Sequence, residues 1–218
     1  MQPGLPRPRP ARVVLEGRYA RLEPLALAHA EGLFESSTGQ GAERRFAWLP
    51  DDPPRDENEM GRWIEKSSAK EDPLFSAVID KRSGRAAGRQ ALMRMVPEHG
   101  VIEIGHILWG PAISRTRAAT EALFLAARYV FEDLGYRRFE WKCNNLNEPS
   151  KAAALRFGFL HEGVFRQHMW VKGASRDSAW FSMLDSEWPG FRAEYLRWLE
   201  PANFDSSGRQ LSRLRVRA

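Results

Sequence analysis

The 218-residue chain, 43% hydrophobic and 11% aromatic, is long enough to bury one core and short for two, so one domain is expected. Its longest apolar stretch near the middle, Ala122 to Ala127, falls far below the roughly 20 residues of a membrane span. The first residues carry charge but no apolar run and do not read as a secretory signal. With Cys143 alone no internal disulfide forms, which favours a reducing compartment, and a cytoplasmic location is expected.

The formal net charge of +5 is unevenly placed. Residues 1–12 hold Arg7, Arg9 and Arg12 without an acid, and residues 205–218 hold Arg209, Arg213, Arg215 and Arg217 against Asp205. Residues 13–204 are left near neutral. The excess basicity therefore belongs to two segments predicted to be tails, the first Pro/Arg-rich and disordered, the second basic. Tails of this kind can touch RNA through phosphates. The plainer reading is solubility, with no nucleic acid or membrane as partner.

In chain order, Arg18 to Leu25 alternates and predicts a first strand ending at Pro24. Leu27 to Ser37 and Glu57 to Ala69 carry apolar residues at helical spacing, with a loop holding short helical pieces between them. Leu74–Asp80, Ala86–Val96 and Val101–Gly110 follow as three tandem strands, and alternation puts Ala91, Met93 and Met95 on one face. Arg117 to Leu134 is the longest helical segment, stopped by Gly135. Arg138 to Asn144 is a strand, and Asn147 caps a short helix with Pro149 in its first turn. A hairpin around Gly173 and a helix through Phe191, Tyr195 and Trp198 close the order. A meander followed by strand–helix–strand crossovers predicts an α+β domain, a mixed α/β sheet with helices on both faces.

The junction Trp109-Gly110-Pro111-Ala112-Ile113-Ser114-Arg115-Thr116-Arg117-Ala118-Ala119 takes a strand through a short loop into the long helix. A helix N-terminus among small residues offers unpaired amides and partial positive charge to a phosphate, and Arg115 and Arg117 add fixed cations. The alternative is an ordinary helix capped by Ser114 or Thr116, with both arginines in solvent. Most of the eight tryptophans fall at core positions, whereas Trp48 lies in the loop Phe46–Pro50. Cys143 reads as buried, and the five histidines show no metal-ligand spacing, so no metal is expected.

Downstream, Asn147-Glu148-Pro149-Ser150, Arg156-Phe157-Gly158-Phe159 and Glu162-Gly163 follow in order. Together with Ser114-Arg115-Thr116-Arg117-Ala118-Ala119-Thr120-Glu121-Ala122, they resemble the acetyl-CoA loop and the following motif of RimJ/RimL-type GNAT acetyltransferases. The resemblance spans about residues 14–200, so the domain is set at 13–204. It implies a mostly antiparallel twisted sheet of about seven strands, splayed between strands 4 and 5. It also implies a pantetheine arm against the backbone of Ile107, Leu108 and Trp109, and a pyrophosphate on the amides of Ser114, Arg115, Thr116, Arg117, Ala118 and Ala119. Asn147 matches the asparagine of the motif and Ser150 the hydroxyl that protonates the departing thiolate. Two positions depart from the family: Arg117 replaces the central loop glycine, and Ala154 replaces the tyrosine acid of many members. Glu103 and His168 are the candidate proton acceptors, and Trp48 a candidate acceptor contact.

The function implied is transfer of an acetyl or other short acyl group from acyl-CoA to a primary amine, by direct attack in a ternary complex. The acceptor is a protein or peptide N-terminus or a small amine, and the chain a monomer or homodimer. At pH 7, freeing an α-amine costs ~1.4 kcal/mol and a lysine ~4.6 kcal/mol, so a site without a strong base favours the former. The alternatives are a catalytically weak acyl-CoA sensor module and a ribosome- or RNA-associated protein using its tails.

Overall fold

Alternating runs become strands and helical stripes become helices in a computed structural model that describes residues 4–217. The strands are β1 (Leu15–Glu16), β2 (Ala20–Pro24), β3 (Leu74–Asp80), β4 (Arg85–Val96), β5 (Val101–Trp109), β6 (Arg138–Asn144), β7 (Leu160–Val171) and β8 (Ala174–Leu184). The helices are α1 (Ala30–Ser37), α2 (Ala42–Phe46), α3 (Glu57–Ser68), α4 (Arg117–Arg128), α5 (Glu148–Arg156) and α6 (Trp188–Leu199). One sheet runs β1-β2-β3-β4-β5-β6-β8-β7, and only the β5–β6 pair is parallel. It has eight strands instead of about seven, because the two-residue β1 pairs with β2. Two residues are too few for alternation to show.

On one face Ile102, Ile104, Phe139, Trp141 and Phe181 pack against the small residues of α4 and the aromatic residues of α6. On the other, Phe75, Ala77, Ile79 and Ala91 pack against Leu33 of α1 and Met60 and Ile64 of α3. Met95 does not share the face of Ala91: it joins the α4 core, because the β4–β5 register slips after Met93, where Arg94 takes φ +48°. Helix α4 runs on through a π-turn, Tyr129–Asp133, and Gly135 at φ +68° ends it.

Glu121 of α4 is buried against the start of β2. Its carboxylate accepts the amides of Arg18, Tyr19 and Ala20 at 2.9, 2.5 and 2.7 Å. These bonds satisfy backbone donors that would otherwise be desolvated without partners.

The two end segments are not the loose tails expected. The Arg7 amide donates to Pro97 O at 3.0 Å and the Ala11 amide to Tyr129 Oη at 2.9 Å. Leu214 and Val216 are buried in the α4 core, and Arg217 Nε donates to Gly158 O at 2.7 Å. The C-terminal arginine-rich stretch hides an inward-facing alternation that a count of charges misses. Residues 1–3 and 218 of those segments lie outside the described residues.

Candidate active site

Parallel pairing of β5 with β6 holds from Val101–Arg138 to Ile104–Trp141 and goes no further. Beyond it β5 follows β4 while β6 follows β8, so the two strands diverge. At the divergence β5 bulges: Ala91 opposes Gly105 and Arg89 opposes Leu108, with His106 at φ +50° absorbing the extra residue. Past the bulge Gly110 lies so close to α1 that a Cβ there would sit 2.5 Å from Ser36 Cβ.

The splay opens into a cleft of about 1110 Å³ on the α4 side. Its walls include Ile107, Leu108, Trp109, Ser114, Arg115, Thr116, Arg117, Ala119, Asn147 and Ser150, so the expected cofactor residues come together, except Ala118, which lines a neighbouring hollow with Tyr19. Thr116 caps α4, its Oγ1 accepting the Ala118 amide at 3.2 Å. The amides of Ser114 and Thr116 close turns onto Gly110 O and Ile113 O at 3.0 and 3.1 Å. Of the expected amide row, those of Arg115, Arg117 and Ala119 are left for a ligand.

The family's loop glycine has its counterpart in conformation two residues earlier than expected. Arg115 takes φ +61°, while Arg117 is already helical. The Arg117 guanidinium lies over the rings of Tyr19 and Phe204, at 4.3 and 5.1 Å, and so it reaches the cleft from an aromatic seat. Asn147 caps α5, its Oδ1 accepting the Ser150 amide at 3.2 Å. Ser150 Oγ accepts from Trp141 Nε1 at 3.0 Å, which fixes the oxygen and leaves its own proton to give. Ala154, fully buried, has no acid to offer there.

Beneath α3, on the opposite face, a cavity of about 390 Å³ is lined by Phe46, Trp63 and Arg89 with Asp51, Asp52, Glu59, Arg62 and Lys66. Arg89 is 2% exposed, pairs with Asp51 and lies 3.9 Å from the Trp63 ring. Phe46, not Trp48, faces this cavity; Trp48 is 36% exposed. Trp63 meets Phe75, and Phe75 meets His106 with centroids 5.2 Å apart, so rings link the cavity to the bulge. The β7–β8 hairpin is strapped to this side by Lys172, whose Nζ donates to Phe46 O, Asp51 O and Asp52 Oδ1 at 3.2, 3.0 and 2.7 Å.

Glu103 is 3% exposed and bound to Lys142 Nζ at 2.9 Å and Arg94 Nη1 at 3.2 Å, away from the cleft. His168 is exposed on β7, its Nδ1 2.9 Å from Ser178 Oγ. His106 carries a buried, unpartnered Nδ1 at the bulge. Burial pushes its pKa below the usual histidine value, Asp51 raises it, and Arg89, Lys70 and Arg94 lower it further. The ring is therefore neutral near pH 7. Sequence alone ranks His106 with the other histidines, because a bulge is set by the register of two strands and not by local composition.

A family model described as an acetyltransferase (GNAT) domain matches residues 20–160. The fold is that of the crystal structure of a GCN5-related N-acetyltransferase from Brucella melitensis, 58% identical, with a TM-score of 0.96 over 99% of this chain and 98% of that one. The prophage-derived N-acetyltransferase YokL of Bacillus subtilis is 25% identical over 134 residues, 62% of this chain and 74% of its own. The microcin C7 self-immunity acetyltransferase MccE, whose structure holds acetyl-CoA and AMP, shares the fold at 24% identity and a TM-score of 0.66, over 77% of this chain and 93% of that one. With the loop, the splay and the capped helix in the order that the family requires, the chain belongs to the GNAT family of N-acetyltransferases.

Proposed function

We propose that the protein moves an acetyl group from acetyl-CoA to a primary amine by direct attack in a ternary complex. The observation that carries this is the basic cleft at the β5–β6 splay, whose wall residue Leu108 lies opposite Arg89, a lining residue of the aromatic cavity beneath α3. The donor set fits coenzyme A: unpaired arginines and free amides at the start of α4, then an unpaired strand edge along Gly105–Trp109.

In this reading acetyl-CoA supplies the activated carbonyl. An amide of Ile107, Leu108 or Trp109 holds the carbonyl oxygen as it gains charge, an effect of roughly 3–4 kcal/mol where such a donor has been removed. His106, neutral and beside the bulge, takes the proton of the attacking amine. Ser150, its oxygen held by Trp141, gives a hydrogen bond and relays a proton to the departing thiolate, regaining one from solvent. Proximity within the splay provides much of the rest. A single histidine base suits an α-amine, at about 1.4 kcal/mol to deprotonate, better than a lysine at about 4.6 kcal/mol.

The test is thiol release from acetyl-CoA over a panel of N-terminal peptides, lysine peptides and small amines. Turnover on α-amines is expected, and Ser150→Ala should lower kcat about tenfold with KM unchanged. Tight coenzyme A binding without turnover on any acceptor would favour a sensor module. Wild-type turnover in Ser150→Ala would take the serine out of the mechanism.

A further inference from the structure

The C-terminal segment builds a wall of the large cleft that lies outside the matched residues 20–160. Phe204, Asp205, Gly208, Arg209 and Gln210 line it. This wall is anchored from within. Asn203 is buried, its Nδ2 donating to Trp198 O at 2.9 Å and its Oδ1 accepting from the Ser212 amide and hydroxyl at 2.9 and 2.6 Å. Asp205 and Arg209 close a turn, each amide reaching the other residue's oxygen at 2.9 Å, above a bridge between Phe204 and Gln210. Trp198 Nε1 holds Gln210 Oε1 at 2.9 Å. Phe204 in turn seats the Arg117 guanidinium, so the turn is packed onto the first residue of α4.

Charge then says what the wall is for. Arg45, Arg115, Arg117, Arg156 and Arg209 all line the cleft, and among the described residues none is in an ion pair. Asp205 is the one acid in the lining, and its Oδ1 is occupied by the Ser207 amide and hydroxyl and the Arg209 amide. Guanidinium groups gathered without anions repel one another until a polyanion enters. A diphosphate at the start of α4 answers Arg115 and Arg117. An arginine presented from a separate, built turn calls for a further phosphate group.

We propose that the 204–210 turn is the nucleotide-end wall of the cleft and that Arg209 binds the 3′-phosphate of coenzyme A. The assignment rests on reading the cleft as the acetyl-CoA site. It explains why a basic, polar segment is held in place by a buried asparagine.

Isothermal titration of coenzyme A and 3′-dephospho-coenzyme A into the wild-type chain, Arg209→Ala and Arg209→Lys tests it. Arg209 is exposed, so the melting temperature of Arg209→Ala should match the wild type. The alanine variant should bind coenzyme A about tenfold more weakly and the dephospho ligand less than about twofold more weakly. Arg209→Lys should recover part of the loss, since an ammonium keeps the charge but not the fork. Equal losses on both ligands, or none on either, would overturn the role of Arg209 while leaving the cleft reading in place. A wild-type chain that binds neither ligand would overturn both.

Discussion

The cleft at the splay and the cavity beneath α3 handle charge differently. On the α4 side five arginines line one cleft without ion-pair partners. Beneath α3 every acid in the lining has a cation: Asp51 has Arg89, Asp52 has Lys172 and Glu59 has Arg55. Unpaired cations wait for a ligand, whereas paired ones have already been matched by folding. The cavity beneath α3 does keep two cations outside ion pairs among the described residues, Arg62 and Lys66, and it adds the aromatic surface of Phe46 and Trp63 that the arginine-lined start of α4 lacks.

The contrast can be broken at a single residue on either side. Asp51→Ala leaves the buried Arg89 guanidinium without its anion and should cost about 3 kcal/mol in a denaturant titration, whereas Arg115→Ala should change stability by less than about 0.5 kcal/mol. A stable Asp51→Ala protein would mean that Arg89 finds another partner. His106→Gln probes the β5 bulge beside the splay. We expect kcat to fall about 100-fold. The acid limb of the wild-type pH profile should lie below the ordinary histidine value, because burial favours the neutral ring and activity is lost only once that ring is protonated. An acid limb that survives in His106→Gln assigns it to another group. Arg115→Ala and Arg117→Ala should each raise KM for acetyl-CoA about tenfold and spare kcat, seen in initial-rate kinetics. Smallest of all, raising salt from 50 to 200 mM should weaken acetyl-CoA binding a few-fold and leave acceptor KM almost unchanged. Equal salt sensitivity on both sides would erase the distinction.

The elements that were legible in the sequence are those whose signals are local. Asn147 with Pro149 announces a capped helix, small residues after Ser114 announce α4, and Phe139, Trp141 and Cys143 announce an alternating strand, all as observed. The loop from Gly110 to Thr116 that leads into α4 was legible for the same reason. What stayed hidden depends on partners far along the chain. His106 owes its place to the register of β4, Arg89 to Asp51, and the Lys172 strap to the loop 46–52. The C-terminal wall carried a signal that composition masked: Leu214 and Val216 alternate with arginines, and that alternation of period two, not the charge, decides where the segment goes.

Glu121 links the sheet's beginning to its middle. The carboxylate that secures Arg18, Tyr19 and Ala20 is made about a hundred residues after them, so the opening strand cannot be fastened during synthesis until α4 has emerged. In the finished molecule the same helix presents its first turn to the cleft. Occupying that cleft should therefore slow hydrogen exchange at the Tyr19 and Ala20 amides, although neither amide touches the ligand site.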